Sequence, residues 1–297
     1  MNLNLKQVYI VFTPFQLSVI LKHLAIKKVS MNDITLVYKT YKNDLEWLKY
    51  SLLSLKKFVS GYNEIVIYCE VNVIGELNKI IEDLSVSCRI IPVIYDFHGY
   101  IKQMVVKIES YRDIHTKYIC ILDSDNIFIN PMNCNDLIDK DGKIEWLYAT
   151  SKDDHIGYPQ WIVWKKAYED MTKTIQDKHF MTNQFPFIFT RNSLVEASNM
   201  FKTIHGIDYS EFCKERLNNL NISINSKIVE SFNILAGVFE EFEWVGFYCM
   251  NYSSDYNFTQ LRKNQKDYIK YYWSHGGITD SIKYELDTLL DLNSSRP

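Results

Sequence analysis

No stretch of this sequence is both long and apolar enough to span a bilayer. The run that comes nearest, "VYIVFTPFQLSVIL" (8–21), falls short of the ~20 residues a membrane helix needs and is broken by Thr13, Pro14, Gln16 and Ser18. Lys6 is the only basic residue before it and no small-residue cleavage site follows, so it reads as a strand, a turn and a helix rather than a signal sequence. Charge imbalance is also missing. Thirty-three Lys and Arg stand against 36 Asp and Glu, a net charge of −3, which excludes the global basic field that holds nucleic acid. There is no Cys-x-x-Cys pair, which argues against a zinc site. Cysteines 69, 88, 120, 134, 213 and 249 read as buried, reduced thiols of a cytoplasmic protein. With only 10 Gly and 6 Pro in 297 residues, and no repeat, low-complexity tract or linker, beads on a string are excluded in favour of one compact unit.

What is present is a globular composition, 47% hydrophobic and 23% charged, with an ordered alternation of patterns. "VYIVF" (8–12) reads as a strand and 15–27 as a helix. "DITLVYKT" (33–40) is a strand, followed by a helix over 44–58 in which Leu45, Leu48, Leu52 and Leu55 recur at steps of three and four. Further strands are expected at 64–70, 88–94 and 118–125, with helices at 75–84 and 101–111. Mostly apolar strands alternating with helices predict an α/β fold, a largely parallel sheet covered on both faces. Beyond 143 the pattern loosens. Strands are expected at 143–150, 185–190 and 243–250, and helices at 161–175, 193–201 and 226–239, with an amphipathic tail over 281–292.

The segment "YICILDSDNIFINP" (118–131) runs five apolar residues into Asp123-Ser124-Asp125. In open α/β sheets ligands bind beyond the carboxyl ends of strands, and two carboxylates so close repel each other unless a cation joins them. Hard oxygen donors suit Mn²⁺ or Mg²⁺ shared with substrate phosphates. The pattern therefore points to a metal on a nucleoside diphosphate. Two surface aspartates in a turn are the plain alternative.

"ILDSDNIFINP" resembles the Asp-x-Asp element of GT-A glycosyltransferases, whose Rossmann-like fold binds nucleotide sugars through a divalent ion. "LVYKTYKNDLEWLKYSLLSLKKF" (36–58) is similar to that fold's first strand and helix. "HGYIKQMVVKIES" (98–110) is similar to the helix before the Asp-x-Asp strand in a bacterial branch linked to surface polysaccharides. "KIVESFNILAGVF" (227–239) is loosely similar to the branch's acidic helix-start motif Ser-Glu-x-x-x-x-Gly, and "WSHGG" (273–277) resembles its late His motif. Three departures stand out: residues 1–32 form an extra βα unit, Val229 replaces the Ser, and Gly237 lies two positions late.

The resemblance implies a division into an N-terminal extension (1–32), a nucleotide-sugar-binding half (33–150) and an acceptor-binding half of the same domain (151–297). It implies that Asp123, Asp125 and His275 hold Mn²⁺ or Mg²⁺. The donor, a UDP-sugar, would meet Tyr38, Lys39, Thr40, Gln103, Lys107, Asp123 and Ser124. Gln103 and Lys107, four apart, share a helix face. If the reaction inverts, Glu230 is the base that takes the acceptor hydroxyl's proton, with Asp153 and Asp154 as rivals. A retaining reaction stays open. Tyr158, Trp161, Trp164 and "MTNQFPF" (181–187) are candidates for sugar contacts or plain core. "LRKNQKDYIK" (261–270) is a solvated face or a peripheral contact with the membrane's inner face or an anionic glycan. The expected function is glycosyl transfer to a glycan or lipid-linked glycan in bacterial surface glycan synthesis. The alternatives are a haloacid-dehalogenase-like phosphatase, with Asp123 as nucleophile, and a lapsed enzyme that binds nucleotide sugars without turnover.

Overall fold

The computed structural model describes residues 33–150, 158–175, 177–180, 186–220, 234–260, 268–272, 274 and 277–292. The expected extension 1–32 lies outside them. From residue 34 the alternation is present within one or two residues at most boundaries: β1 (Ile34–Lys39), α1 (Leu45–Phe58), β2 (Glu64–Glu70), α2 (Ile74–Leu84), β3 (Arg89–Val93), α3 (Gly99–Glu109) and β4 (Tyr118–Asp123). The strand expected over 118–125 stops at Asp123. Ser124 and Asp125 form a turn into β5 (Asn126–Phe128).

Five strands form the central sheet in the order β7-β4-β1-β2-β3, where β7 is Phe187–Thr190. β1 runs parallel to β2 and β4, and β2 parallel to β3; only β7 is antiparallel, against β4. Every residue of β1 is buried, as a strand covered on both faces requires. The α1 leucines face the sheet: Leu48, Leu52 and Leu55 are at most 1% exposed. Trp47 and Tyr50, on another side of α1, pack with Ile127 and with Leu286 of α8 (Asp280–Leu289), and the Tyr50 hydroxyl donates to Asp287 Oδ1 at 2.8 Å. Both faces of α1 are thus occupied, which fits its dense apolar content.

The second half is built from shorter pieces: β6 (Ile144–Thr150), α4 (Tyr158–Thr172), α5 (Arg191–His205), α6 (Tyr209–Asn219), α7 (Glu241–Tyr252), β8 (Tyr256–Gln260) and β9 (Ile269–Tyr271). β8 lies parallel to β6 and β9 antiparallel to β5. The expectation of a strand over 243–250 is corrected: this segment is the body of α7. Its residues from Glu241 to Cys249 are all buried, so the helix shows no polar face, and an apolar run of eight cannot be told from a buried strand by periodicity. Gly246 lets the helix close on Phe180; a Cβ there would come within 2.3 Å of that ring. The helix α6 was not expected. Asp208 caps it, accepting from the Glu211 backbone N–H at 3.0 Å in a reciprocal capping box. The expected helix over 226–239 lies mostly outside the described residues; 234–236 are helical. Among the described residues no helix is long and apolar enough to cross a membrane. All six cysteines are free, and all but Cys88 are buried.

Candidate functional site

The sheet's strand order places β1 between β2 and β4, so the chain moves outward from β1 to β3 and then returns to β1's other side. Such a reversal opens a crevice beyond the carboxyl ends of the two strands concerned, and that crevice is where ligands bind in open α/β sheets. Lys39 and Asp123 are register partners at this end of β1 and β4. The Asp-Ser-Asp turn therefore sits at the switch point itself.

A buried hydrogen-bond chain fixes the turn from beneath. The Asp123 N–H donates to Asn126 Oδ1 at 2.8 Å. The carbonyl of Asn126 accepts from Ser51 Oγ at 2.6 Å, and Ser51 Oγ shares a 3.0 Å hydrogen bond with the Tyr38 hydroxyl. Tyr38 is wholly buried, so it supports the rim and does not line the crevice. Burial also pushes its phenol well above the usual range. Ser124 is 3% exposed and its hydroxyl leans toward the Lys39 carbonyl at 3.5 Å. Lys39 is buried with its ammonium 3.1 Å from Glu70 Oε1 and 2.6 Å from the Thr40 carbonyl. Burial lowers its pKa, against the pull of Glu70. Thr40 is fully buried, and its hydroxyl has no hydrogen-bond partner among the described residues.

Asp123 and Asp125 are both half-buried, and each has one oxygen engaged. Asp123 Oδ1 stands 2.5 Å from the Lys107 ammonium. Asp125 Oδ2 accepts the Ser274 backbone N–H at 3.1 Å. A third carboxylate, not among the residues expected from the sequence, stands here. Asp44 precedes α1, where an aspartate would ordinarily cap the helix, yet its side chain makes no capping bond. It is 7% exposed, hydrogen-bonded to the Tyr41 and Ser274 hydroxyls, and its Oδ1 has no partner among the described residues. Burial, with the neighbouring charge of Asp123, raises Asp44 to about 6. Burial, with the charges of Asp123 and Asp44, raises Asp125 to about 7. The signal that could have found Asp44 is its place in the β1–α1 connection, the other lip of the switch point.

Lys107 is the one expected donor contact that the structure brings to the carboxylates. It lies in the last turn of α3, 3% exposed, with Glu241 Oε1 at 3.2 Å on its other side. Burial opposes its charge, but Asp123 and Glu241 outweigh that and hold its pKa above the ordinary value. Gln103, one turn earlier, is half-buried. Glu241 begins α7, and its spacing to Gly246 is that of the Glu-x-x-x-x-Gly motif, with Glu240 in the place of Ser. This match in spacing is better than the one at Glu230, eleven residues earlier. Burial raises Glu241 above its ordinary pKa, with Lys107 drawing it back.

Glu230, His275, Asp153, Asp154 and residues 181–185 lie outside the described residues, as do 261–267 of the basic segment and the side chains of Tyr158 and Trp161. Trp164 is 8% exposed and stacks on His179 at 5.3 Å between ring centroids, a core position. Phe187 stacks on Phe242 at 3.9 Å.

Among the described residues no group of three or more His, Cys, Asp or Glu forms a ready cage for a metal ion. The donor set is instead a few single carboxylate oxygens with mutual repulsion that a cation would relieve, and a buried orphan oxygen on Asp44. That fits an ion of the Mg²⁺ kind, which takes one or two carboxylates and completes its shell with phosphate and water. Cavities of about 390 Å³, beside Glu64, Cys88 and Arg89, and about 240 Å³, beside Tyr95, Glu109 and Arg112, lie elsewhere and include none of the rim residues.

A comparison with curated proteins gives no match. Among solved structures, the chain is similar to the crystal structure of 4-diphosphocytidyl-2C-methyl-D-erythritol synthase from Anaerococcus prevotii, at 14% identity and a TM-score of 0.37. The similarity covers 72% of this chain and 97% of that one; a superposition so loose bears on neither substrate nor mechanism. The family of unknown function DUF6492 matches residues 26–285, a span that takes in β1, the Asp-Ser-Asp turn, Lys107 and Glu241, and the chain belongs to that family.

Proposed function

We propose that the protein is a metal-dependent glycosyltransferase, moving a sugar from a nucleoside-diphosphate donor to the hydroxyl of a glycan or lipid-linked glycan in bacterial surface glycan synthesis. The observation that carries this reading is the Asp123-Ser124-Asp125 turn at the sheet's switch point, facing the buried carboxylate of Asp44. Asp123 through Oδ2 and Asp125 through Oδ1, the oxygens left over by Lys107 and Ser274, would hold Mn²⁺ or Mg²⁺, with His275 as a further ligand. Bound there, the ion supplies neutralisation of the charge that grows on the diphosphate leaving group.

The chain's own residues orient the donor. Gln103 offers an amide from its half-buried place on α3, and Thr40 and Ser124, both buried, shape the carboxyl ends of β1 and β4 beneath the donor. Tyr38 and Lys39 act from below, by bracing Ser51 and by fixing the strand end against Glu70. A UDP-sugar is the favoured donor. For an inverting transfer Glu230 is the base that removes the acceptor hydroxyl's proton. Glu241 does not take that role, because its carboxylate is sealed behind Lys107. The site faces a cytoplasmic donor pool, and the basic segment 261–270 suits contact with the inner membrane face or an anionic glycan.

The test is a thermal-shift screen of UDP, CDP, GDP and their sugars with and without Mn²⁺, on the native chain and on Asp125→Ala. A ligand that binds only the folded state raises the melting point, so a metal-dependent rise in the native chain that vanishes in Asp125→Ala is expected. Asp44 and Asp125 shed protons near pH 6 and 7 on this structure. Mn²⁺ uptake is therefore expected to strengthen as pH rises from 5 to 8. No shift with any nucleotide in the presence of metal would sink the reading. Phosphate release from a generic phosphomonoester, lost in Asp123→Asn, would put the phosphatase in its place.

A further inference from the structure

We propose that Glu241 is a positioning residue of the rim, acting on the ligand site through Lys107 by setting how much negative charge Asp123 offers to a cation. The inference rests on the reading of Asp123 and Asp125 as cation ligands.

Three elements distant in sequence meet at one ammonium. Lys107 Nζ, from the end of α3, lies 2.5 Å from Asp123 Oδ1 at the end of β4 and 3.2 Å from Glu241 Oε1 at the start of α7. The Lys107 and Glu241 side chains are each 3% exposed, whereas Asp123 is 27% exposed. The pair is thus buried on one side and opens to the crevice only through Asp123. The Phe242 ring lies 5.5 Å from the ammonium and closes another side. One positive charge shared by two carboxylates leaves the trio at a net charge of −1, and the only carboxylate of the trio that reaches the crevice is Asp123.

The consequence is electrostatic. With Glu241 ionised, Lys107 is shared, and Asp123 keeps much of its charge for a ligand at Oδ2. With that charge removed, the whole ammonium falls on Asp123 and cancels it. Outer groups of this kind change metal affinity by about 10- to 100-fold when altered. Glu241 touches neither ligand nor reacting atoms in this arrangement, and the sign of its effect separates it from a packing residue.

The experiment measures free Mn²⁺ by electron paramagnetic resonance, with UDP present, on the full chain. Glu241→Gln is expected to weaken Mn²⁺ binding about tenfold. The double variant Lys107→Gln/Glu241→Gln, which removes the ammonium as well, is expected to recover affinity toward the native value. Native-like binding by Glu241→Gln overturns the inference, and so does a double variant weaker than the single one, the result that mere packing predicts. Should Glu241→Gln fail to fold, Glu241→Asp carries the test. It keeps the charge and shortens the reach, so affinity close to native supports the role and a loss of about tenfold or more, the size of a full outer-group deletion, overturns it. If the native chain takes up no Mn²⁺ with UDP or with any other nucleotide of the thermal-shift screen, the cation reading itself falls and this inference with it. If the native chain binds and Glu241→Gln binds equally, only the inference falls.

Discussion

The stretch from Asp33 to Phe128 and the stretch from Ile144 onward are built by different means. In the first, long helices lie on a parallel sheet, and each element announces itself by its own period. Leucines at steps of three and four in α1 and the mostly apolar, wholly buried run of β1 each match one geometry. In the second, short elements converge on shared aromatic rings. Trp146 lies within 5.3 to 6.2 Å of Phe180, Phe187, Phe189, Tyr256 and Phe258, drawn from several separate elements. Order in the first region is carried by local pattern, and in the second by contacts between segments far apart in the chain. The rim joins the two, because Lys107 and Asp123 come from the first region and Glu241 from the second.

That contrast can be broken most severely at the joint. Lys107→Ala leaves Glu241 buried without its counter-charge, and losing one partner of such a pair costs about 3–5 kcal/mol; urea unfolding of the variant should show it. A loss confined to ligand binding, with stability unchanged, would mean that the two regions stand independently. Next come the cores. Phe242→Ala in the second region should cost about 3–5 kcal/mol and Leu52→Ala in the first about 2–5 kcal/mol. Should only the Leu52 variant unfold early, the aromatic cluster is not what holds the second region together. Gly246→Ala drives a methyl into the Phe180 ring and should cost about 1–3 kcal/mol through overpacking, read as a lowered melting temperature. The smallest effect belongs to Asp208→Ala, at about 1 kcal/mol for a lost helix cap. A null result there would show that α6 is held by the packing of Tyr209, Phe212, Cys213 and Leu217 rather than by its cap.

The same contrast explains what could be read in advance. The α/β class, the order of elements to Asp123 and the place of the two aspartates at a strand's carboxyl end were legible, because each is written in neighbouring residues; that Ser124 and Asp125 leave the strand in a turn was not. The strand assigned to 243–250 failed because α7 is buried all round and carries no amphipathic period. Asp44 was overlooked because an aspartate before a helix looks like a cap, and only the fold shows that its side chain caps nothing. Tyr38 and Lys39, taken for donor contacts, have their side chains turned to Ser51 and Glu70. Residues at the end of a buried strand face inward or outward according to which layer covers them, and β1 is covered on both faces.

Local chemistry thus determined the helices and strands of the first region, the reduced cysteines and the acidic pair at the strand end, since hydrophobic period and side-chain type act over a few residues. Only the tertiary structure decided that Asp44 joins that turn and that Lys107 is shared between Asp123 and Glu241. Those partners are separated by up to 134 residues, and the charge balance of a buried site is a property of distances in space that no local pattern encodes.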